Sequence, residues 1–267
     1  MSIFGVVPTA DLSWVDLALS AALIFVAVAI SFVERLGLAR GFLVGAVRAV
    51  VQLSLVGYLL VYLFAADDWS LVLLALLVML VAATATVAQR MRRDRRRVSL
   101  IAGVGILAGA GLTMLYVDLI VIGLHPWYDP RYLIPLFGMI VSNAMNGAAL
   151  AAERLASEIE ARRAEIEAYL ALGASPAYAT RTASRLALTA SLIPAINGLM
   201  IVGLVSLPGM MTGQILAGQS PLLAVRYQIL VAFMLTGAVA LTSVIVVRWY
   251  RTTFFTPAEQ LVERVPV

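Results

Sequence analysis

Long apolar stretches alternate with short polar or charged segments along the whole chain. Seven of these stretches are long enough to cross about 30 Å of hydrocarbon as helices, which pair every backbone polar group internally. None alternates polar and apolar residues as a barrel strand does. The pattern therefore predicts an all-α polytopic membrane protein. Its predicted spans are Trp14–Val33, Phe42–Phe64, Ser70–Gln89, Val98–Leu124, Tyr132–Ala152, Leu186–Leu207 and Pro221–Arg248.

The arginines are concentrated in alternate connections between these spans. Sixteen of the 19 basic residues lie in segments 34–41, 90–97 and 153–185 and in the tail from Arg248, whereas the other connections hold only Arg131. Because positive residues stay on the cytosolic side, we expect the N-terminus outside and the C-terminus inside. The sequence predicts one transmembrane domain over residues 1–267, in the cell membrane, with a helical cytosolic excursion at about 153–185.

Composition narrows the chemistry. Of the 267 residues, 62% are hydrophobic, which is more apolar surface than a soluble domain of this length can bury. The chain has no cysteine and one histidine, so a thiolate site or a two-histidine zinc helix is impossible. All basic residues are arginine, and a P-loop needs a lysine. We therefore expect neither an enzyme nor a cofactor here, and contact with lipid headgroups rather than nucleic acid.

The charged segment between the fifth and sixth spans contains a predicted sharp bend. The helix from Tyr132 is expected to continue past the membrane as one helix and to stop at Gly173, which suits the left-handed position after a helix. Ser175 and Pro176 then have the chemistry of an N-cap and a first helical position, and the next helix is expected to run into the span at Leu186. Geometry alone leaves an ordinary helix-turn-helix connection as an equal alternative.

The residues of this bend resemble a known motif. The pattern Glu167-Ala168-x-x-x-Leu172-Gly173-Ala174-Ser175 is similar to the coupling motif of ABC transporter permeases, which docks in a cleft of the nucleotide-binding subunit. Tyr169 stands where that motif has a second alanine, and Leu186 stands where it has a proline. The resemblance assigns coupling to an ATPase to Glu165, Glu167, Leu170, Leu172, Gly173, Ala174 and Ser175.

A second resemblance covers nearly the whole chain. Segments Arg48–Tyr58, Leu170–Ser175, Val202–Gly218 and Pro221–Gln228 resemble the FetB/YbbM family of permeases, whose bacterial members are assigned to iron export and whose plant members are linked to aluminium tolerance. The resemblance implies export of a metal ion such as iron, or of another substrate such as a nucleotide sugar. It also implies a separate P-loop ATPase subunit that binds ATP and magnesium, and two copies of each subunit.

Polar side chains inside the predicted spans are candidates for a substrate pathway, because such groups usually face a cavity or a partner helix. Gln52 lies in the second span with Arg48 one turn away on the same face. Asn143 and Asn146 share a face of the fifth span, and Asn197 lies in the sixth. Interhelical hydrogen bonding is the alternative for each amide, and Arg48 is near enough to the cytosolic side to extend to it.

The segment Leu207–Gly218 is too apolar for a plain loop and too rich in glycine for a good helix, and the sequence leaves open whether it re-enters the membrane. Carboxylates are nearly absent from the spans, so no firm metal site is predicted. His125 and Asp129 could form at most a weak one in an outer loop. Candidate contacts for a leaving cation in the segment are Met210, Met211, Thr212 and Gln214.

An ABC-type export permease explains these features best. A secondary transporter or channel without an ATPase is the alternative, but it requires ionisable groups at mid-membrane for proton coupling. An intramembrane enzyme would require paired carboxylates, a Ser-His pair or a metal triad within the bilayer.

Overall fold

The structure, a computed structural model, describes residues 13–66, 68–90, 95–123 and 125–262. Helices account for most of the described chain, as the apolar pattern predicts. A π-helical turn follows α5 and a 3-10 turn follows α11. The α-helices are α1 Trp14–Ser20, α2 Ala22–Val33, α3 Ala39–Ala66, α4 Trp69–Arg90, α5 Arg95–Tyr116, α6 Pro130–Ala161, α7 Arg163–Ala171, α8 Pro176–Ala179, α9 Arg181–Ile201, α10 Gly209–Leu216 and α11 Pro221–Tyr250.

Seven helical stretches of the described chain are long and apolar enough to cross a membrane, which confirms the predicted number. Leu124, the predicted end of the fourth span, and residues 91–94 of the arginine-rich segment lie outside the described residues. The spans are Val15–Val33, Ala39–Ala66, Trp69–Gln89, Arg97–Ile122, Pro130–Ala161, Arg181–Ile201 and Pro221–Phe254.

The chain divides into two compact units. The first contains the described residues from 13 to 68 together with residues 216–218, and in it α2 packs on α3. The connection between these two helices is fastened by Ser31, whose buried hydroxyl accepts a hydrogen bond from the Leu38 amide at 3.0 Å.

The second unit, which contains the described residues of 69–215 and 219–262, is organised around α6. This helix packs against α4, α5, α9 and α11, and α5 also packs against α11. Close approach depends on small residues where the helices meet, as is usual inside membranes. A Cβ added at Gly109 of α5 would lie 2.9 Å from the Thr242 nitrogen and 3.0 Å from the Ala238 oxygen of α11. The backbones of α5 and α11 therefore meet at Gly109.

Three predicted helix boundaries and one predicted non-helical segment are wrong. The helix from the fifth span is broken at Arg162 (φ −104°, ψ 18°), and the next is broken at Thr180 (φ −98°, ψ 10°). The sixth span ends at Ile201 rather than Leu207, because Val202 is extended. Residues Gly209–Leu216 form a helix, since their glycines lie among good helix formers and a full turn of backbone bonds outweighs the glycine cost.

Candidate coupling site

The bend between α7 and α8 is closed by a glycine in the left-handed region. Gly173 has φ +83°, and its N–H donates to the Leu170 carbonyl at 2.9 Å. The N–H of Ala174 donates to the Tyr169 carbonyl at 3.0 Å. These two bonds form a Schellman motif, which satisfies the last carbonyls of α7. The predicted stop of the helix at Gly173 is confirmed.

The following helix begins as the sequence predicts. Ser175 is extended (φ −67°, ψ 153°), its hydroxyl accepts from the Tyr178 amide at 3.4 Å, and Pro176 occupies the first helical position. The rings of Tyr169 and Tyr178 meet edge to face, with centroids 5.7 Å apart and planes at 84°. This contact joins α7 to α8 across the bend, so the two short helices form one element, which we call the coupling hairpin (residues 163–179).

An apolar side chain stands at the tip of the coupling hairpin. Leu172 is 85% exposed, although leucine normally buries its side chain. The base of the hairpin is fixed by Ile166 and Ala179, which are buried, and Leu170 is half-buried. The backbone on both sides of Leu172 is fixed by the hydrogen bonds of the Schellman motif and of the Ser175 cap. The exposed side chain therefore has a defined position at the tip.

Ion pairs hold the joint between α6 and the coupling hairpin. The buried Glu158 carboxylate contacts Arg154 at 2.6 Å and Arg162 at 3.1 Å. Arg162 also contacts Glu165 at 3.1 Å. Hydrogen bonds to Glu158, and then to Glu165, raise the pKa of Arg162 above its usual value. The guanidinium therefore stays charged and bridges the helix break at its own position.

The C-terminal segment packs beside the coupling hairpin, a contact for which the sequence carries no signal. Arg163 pairs with Glu167 at 2.9 Å and donates to the Val262 carbonyl at 3.1 Å. Residues 254–262 double back on themselves through the bond from the Val262 amide to the Phe254 carbonyl, 2.9 Å long. We call these residues the C-terminal turn. A groove of about 840 Å³ lies between it and the hairpin, with Glu167 and Gly173 in its wall.

Replacing Arg163 with glutamine should release the C-terminal turn. The substitution removes the charged donor to Val262, and a hydrogen bond of this kind contributes about 1.5–3 kcal/mol. We expect amide exchange at Thr256, Glu259 and Val262 to become about tenfold faster or more. Hydrogen exchange of the purified protein measures this. Arg154→Gln, which removes only the pair with Glu158, is the matched control and should leave these three amides protected.

The predicted pathway residues fall on separate helices. Arg48 and Gln52 lie on α3 of the first unit, with exposed side chains. Asn143 and Asn146 lie on α6 and Asn197 lies on α9, also exposed. The Asn143 amide donates to the Met139 carbonyl of its own helix at 2.9 Å, so its oxygen is left for another partner. The second unit therefore presents three amides outward from α6 and α9, which pack on each other.

The remaining pathway candidates lie on α10. Met210 and Met211 are half-buried, and the Thr212 hydroxyl donates to the Pro208 carbonyl at 3.2 Å. The Gln214 amide oxygen is buried without a hydrogen-bond partner among the described residues. Gln228 of α11 is in the same situation and was not among the predicted residues. The rule that selected Gln52, an amide within an apolar span, could have found it.

The described residues hold no group of three or more histidine, cysteine or acidic side chains that could ligate a metal. Asp118 is buried in the π-helical turn, and Glu153 is exposed on α6. His125 is exposed, whereas the Asp129 carboxylate caps α6 by accepting from the Arg131 amide at 2.9 Å. Within the described chain, any metal ion would meet amide and carbonyl oxygens rather than a fixed ligand cage.

The seven apolar helices define a multi-pass membrane protein. Residues 14–255 match the model of the uncharacterised protein family UPF0014, and the chain belongs to that family. The match covers the seven spans and the coupling hairpin. No solved structure matches the chain.

Named relatives are similar over nearly their full lengths. A UPF0014 membrane protein of Synechocystis sp. is 41% identical over 253 residues, which cover 94% of this chain and 97% of the relative. The probable iron export permease protein FetB of Escherichia coli is 37% identical over 247 residues, covering 92% and 94%. The protein ALUMINUM SENSITIVE 3 of Arabidopsis thaliana is 37% identical over 238 residues, covering 89% and 86%. The resemblance inferred from the sequence is confirmed.

Proposed function

We propose that this chain is the membrane-spanning permease subunit of an ABC exporter that moves metal ions such as iron out of the cytosol. A separate P-loop ATPase supplies the energy and binds ATP and magnesium. The observation that carries the proposal is the coupling hairpin, in which a Schellman motif and an N-cap hold the 85% exposed Leu172 at a rigid tip. An exposed leucine on a rigid scaffold can be buried by a partner, and full burial of such a side chain is worth about 1.5–3 kcal/mol.

The metal assignment is supported by chemistry and by relatives. The names of two relatives refer to a metal, iron in one case and aluminium in the other. Hard cations prefer oxygen ligands, and the amide oxygens of Asn143, Asn146 and Asn197 can supply them. A cation that crosses must also leave, so weak and successive oxygen contacts suit transport better than a tight site.

Two copies of the chain are part of the proposal. The three amides of α6 and α9 are exposed in one chain, although polar groups at membrane depth normally face a cavity or a partner. A second permease copy over this face would enclose them and form a shared pathway. The same arrangement gives each of two ATPase subunits its own coupling hairpin.

Co-purification tests the class of transporter. The tagged permease, extracted from its native membrane in mild detergent and cross-linked, should recover a P-loop ATPase at about one copy per permease. When the two proteins are reconstituted together in vesicles, they should hydrolyse ATP faster with Fe²⁺ on the ATPase side of the membrane than without added metal. Recovery of the permease alone would support a secondary transporter or channel, and unchanged hydrolysis with every metal tested would contradict metal export.

Serine in place of Leu172 should weaken the partner without harming the permease. The side chain is 85% exposed, so its loss costs little folding free energy. Partial burial of a leucine side chain by a partner contributes about 1–2 kcal/mol to binding, which predicts about five- to thirty-fold weaker association. Titration of the purified ATPase onto immobilised permease measures this. Leu36→Ser, the same exchange at an exposed leucine in the connection between α2 and α3, is the control.

A further inference from the structure

A second cavity, of about 1190 Å³, opens at the charged end of the sixth and seventh spans. Arg181 and Arg185 from α9 and Arg251 from the turn after α11 line it together. No carboxylate lines this cavity among the described residues. Three like charges brought together by two helices repel one another unless an anion lies between them.

The three guanidinium groups are not engaged elsewhere. None of them forms an ion pair or donates a hydrogen bond within the described part of the chain, whereas Arg154, Arg162 and Arg163 all do. The Ser184 hydroxyl, also in the lining, is buried and has no hydrogen-bond partner among the described residues. The cavity thus presents three guanidinium groups that have no protein partner among the described residues.

The cavity changes character along α9. Arg181, Arg185, Leu188 and Leu192 all line it and are three or four residues apart, so they form one stripe of the helix. At 1.5 Å per residue the stripe is about 16 Å long. Its first half is cationic and its second half is apolar and half-buried. A ligand that fits carries an anion at one end and a hydrocarbon chain at the other.

We propose that this cavity binds an anionic phospholipid, with its phosphate among Arg181, Arg185 and Arg251 and an acyl chain along Leu188 and Leu192. The arginines lie at the end of the spans that the positive-inside rule places in the cytosolic leaflet. Basic pockets between helices at that depth suit anionic headgroups. The proposal does not depend on an ATPase partner.

Native mass spectrometry of the full permease in detergent tests this. The protein is mixed with phosphatidylglycerol or with phosphatidylcholine of the same acyl chains. We expect retention of phosphatidylglycerol but not of phosphatidylcholine. Each arginine near a membrane surface contributes about fivefold, so Arg181→Gln/Arg185→Gln should lower retention about 25-fold. The double lysine variant keeps the charges and should recover most of it. If the double glutamine variant does not fold, the single variants are each expected to lose about fivefold.

Arg35→Gln/Arg40→Gln is the matched control, because it removes two exposed arginines on the same predicted side of the membrane. It should retain lipid like the parent; an equal loss would mean a general charge effect and would overturn the site. Displacement of the lipid by inorganic phosphate would show that a soluble anion is the ligand, and overturns the lipid proposal. Unchanged lipid retention in the glutamine variants, with loss of a co-purified protein, would assign the arginines to a protein interface and overturn it as well.

Discussion

Valine in place of Gly173 should remove most of the ATPase stimulation that we propose the permease gives to a separate ATPase subunit. Gly173 has φ +83°, a conformation that costs an ordinary residue about 1–2 kcal/mol and a β-branched residue more. A Cβ at this position meets no atom within 4 Å, so the effect is one of backbone strain alone. We expect the Schellman bonds to open, the tip at Leu172 to move, and stimulation to fall about tenfold or more. ATP hydrolysis by the reconstituted pair measures this.

A graded series separates strain from side-chain loss. Gly173→Asn should keep most of the stimulation, because asparagine adopts left-handed backbone far more readily than valine. Glu167→Arg should reduce stimulation by another route, since it replaces the 2.9 Å pair with Arg163 by a like charge. Glu153→Arg, the same charge change on α6, is its control. Full stimulation by both Gly173→Val and Glu167→Arg, with the protein still in the membrane, would refute the role of the hairpin.

Valine at Gly109 should destabilise the second unit more than any surface change. Its Cβ would lie 2.9 Å from the Thr242 nitrogen and 3.0 Å from the Ala238 oxygen, and it would also collide with the Thr242 hydroxyl. Backbone atoms cannot rotate away, so α5 and α11 must separate. Overpacking of this kind costs about 1–3 kcal/mol, which predicts a Tm lower by about 3–10 °C. Thermal unfolding in detergent, followed by tryptophan fluorescence, measures the shift.

The control for this substitution is two residues along the same helix. A Cβ at Gly111 meets only the Leu107 side chain, at 3.8 Å, which is ordinary contact. We expect Gly111→Val to shift Tm by less than about 2 °C. Equal shifts at both positions would mean that the loss reflects helix propensity rather than the contact with α11, and would contradict the close packing of these helices.

The sequence predicts the spans and the bend because both depend on local chemistry. Apolar length determines a span, and the left-handed conformation of Gly173 and the cap at Ser175 follow from residue types within one turn. The breaks at Arg162 and Thr180 could not be found in this way. No proline or glycine stands at either position, and the contacts made there join residues three or four apart, as contacts within a continuous helix also do. Arg162 forms ion pairs with Glu158 and Glu165. Thr180 is fully buried, and its hydroxyl donates a hydrogen bond to the Pro176 carbonyl.

Contacts between residues far apart in the sequence limit the prediction of the site. Arg163 and Val262 are 99 residues apart, and the sequence contains nothing that pairs them. Arg181 and Arg251 likewise look like two separate topology signals until the packing of α9 on α11 brings them into one cavity. Depth in the span identifies Gln52 and Asn197 as candidate pathway amides, but it does not predict which neighbouring helix each of them faces.

The two helix breaks separate the coupling hairpin from α6 on one side and from α9 on the other. Arg162 and Thr180 have nearly the same backbone angles and enclose residues 163–179 between them. A force that the proposed ATPase applied at Leu172 would therefore act on two single-residue joints, at Arg162 and Thr180, rather than along one continuous helix. The joint at Arg162 is held by ion pairs, and the joint at Thr180 is held by the hydrogen bond of a buried hydroxyl. Added salt weakens ion pairs but not the buried hydrogen bond. Higher ionic strength would therefore loosen the joint to α6 more than the joint to α9.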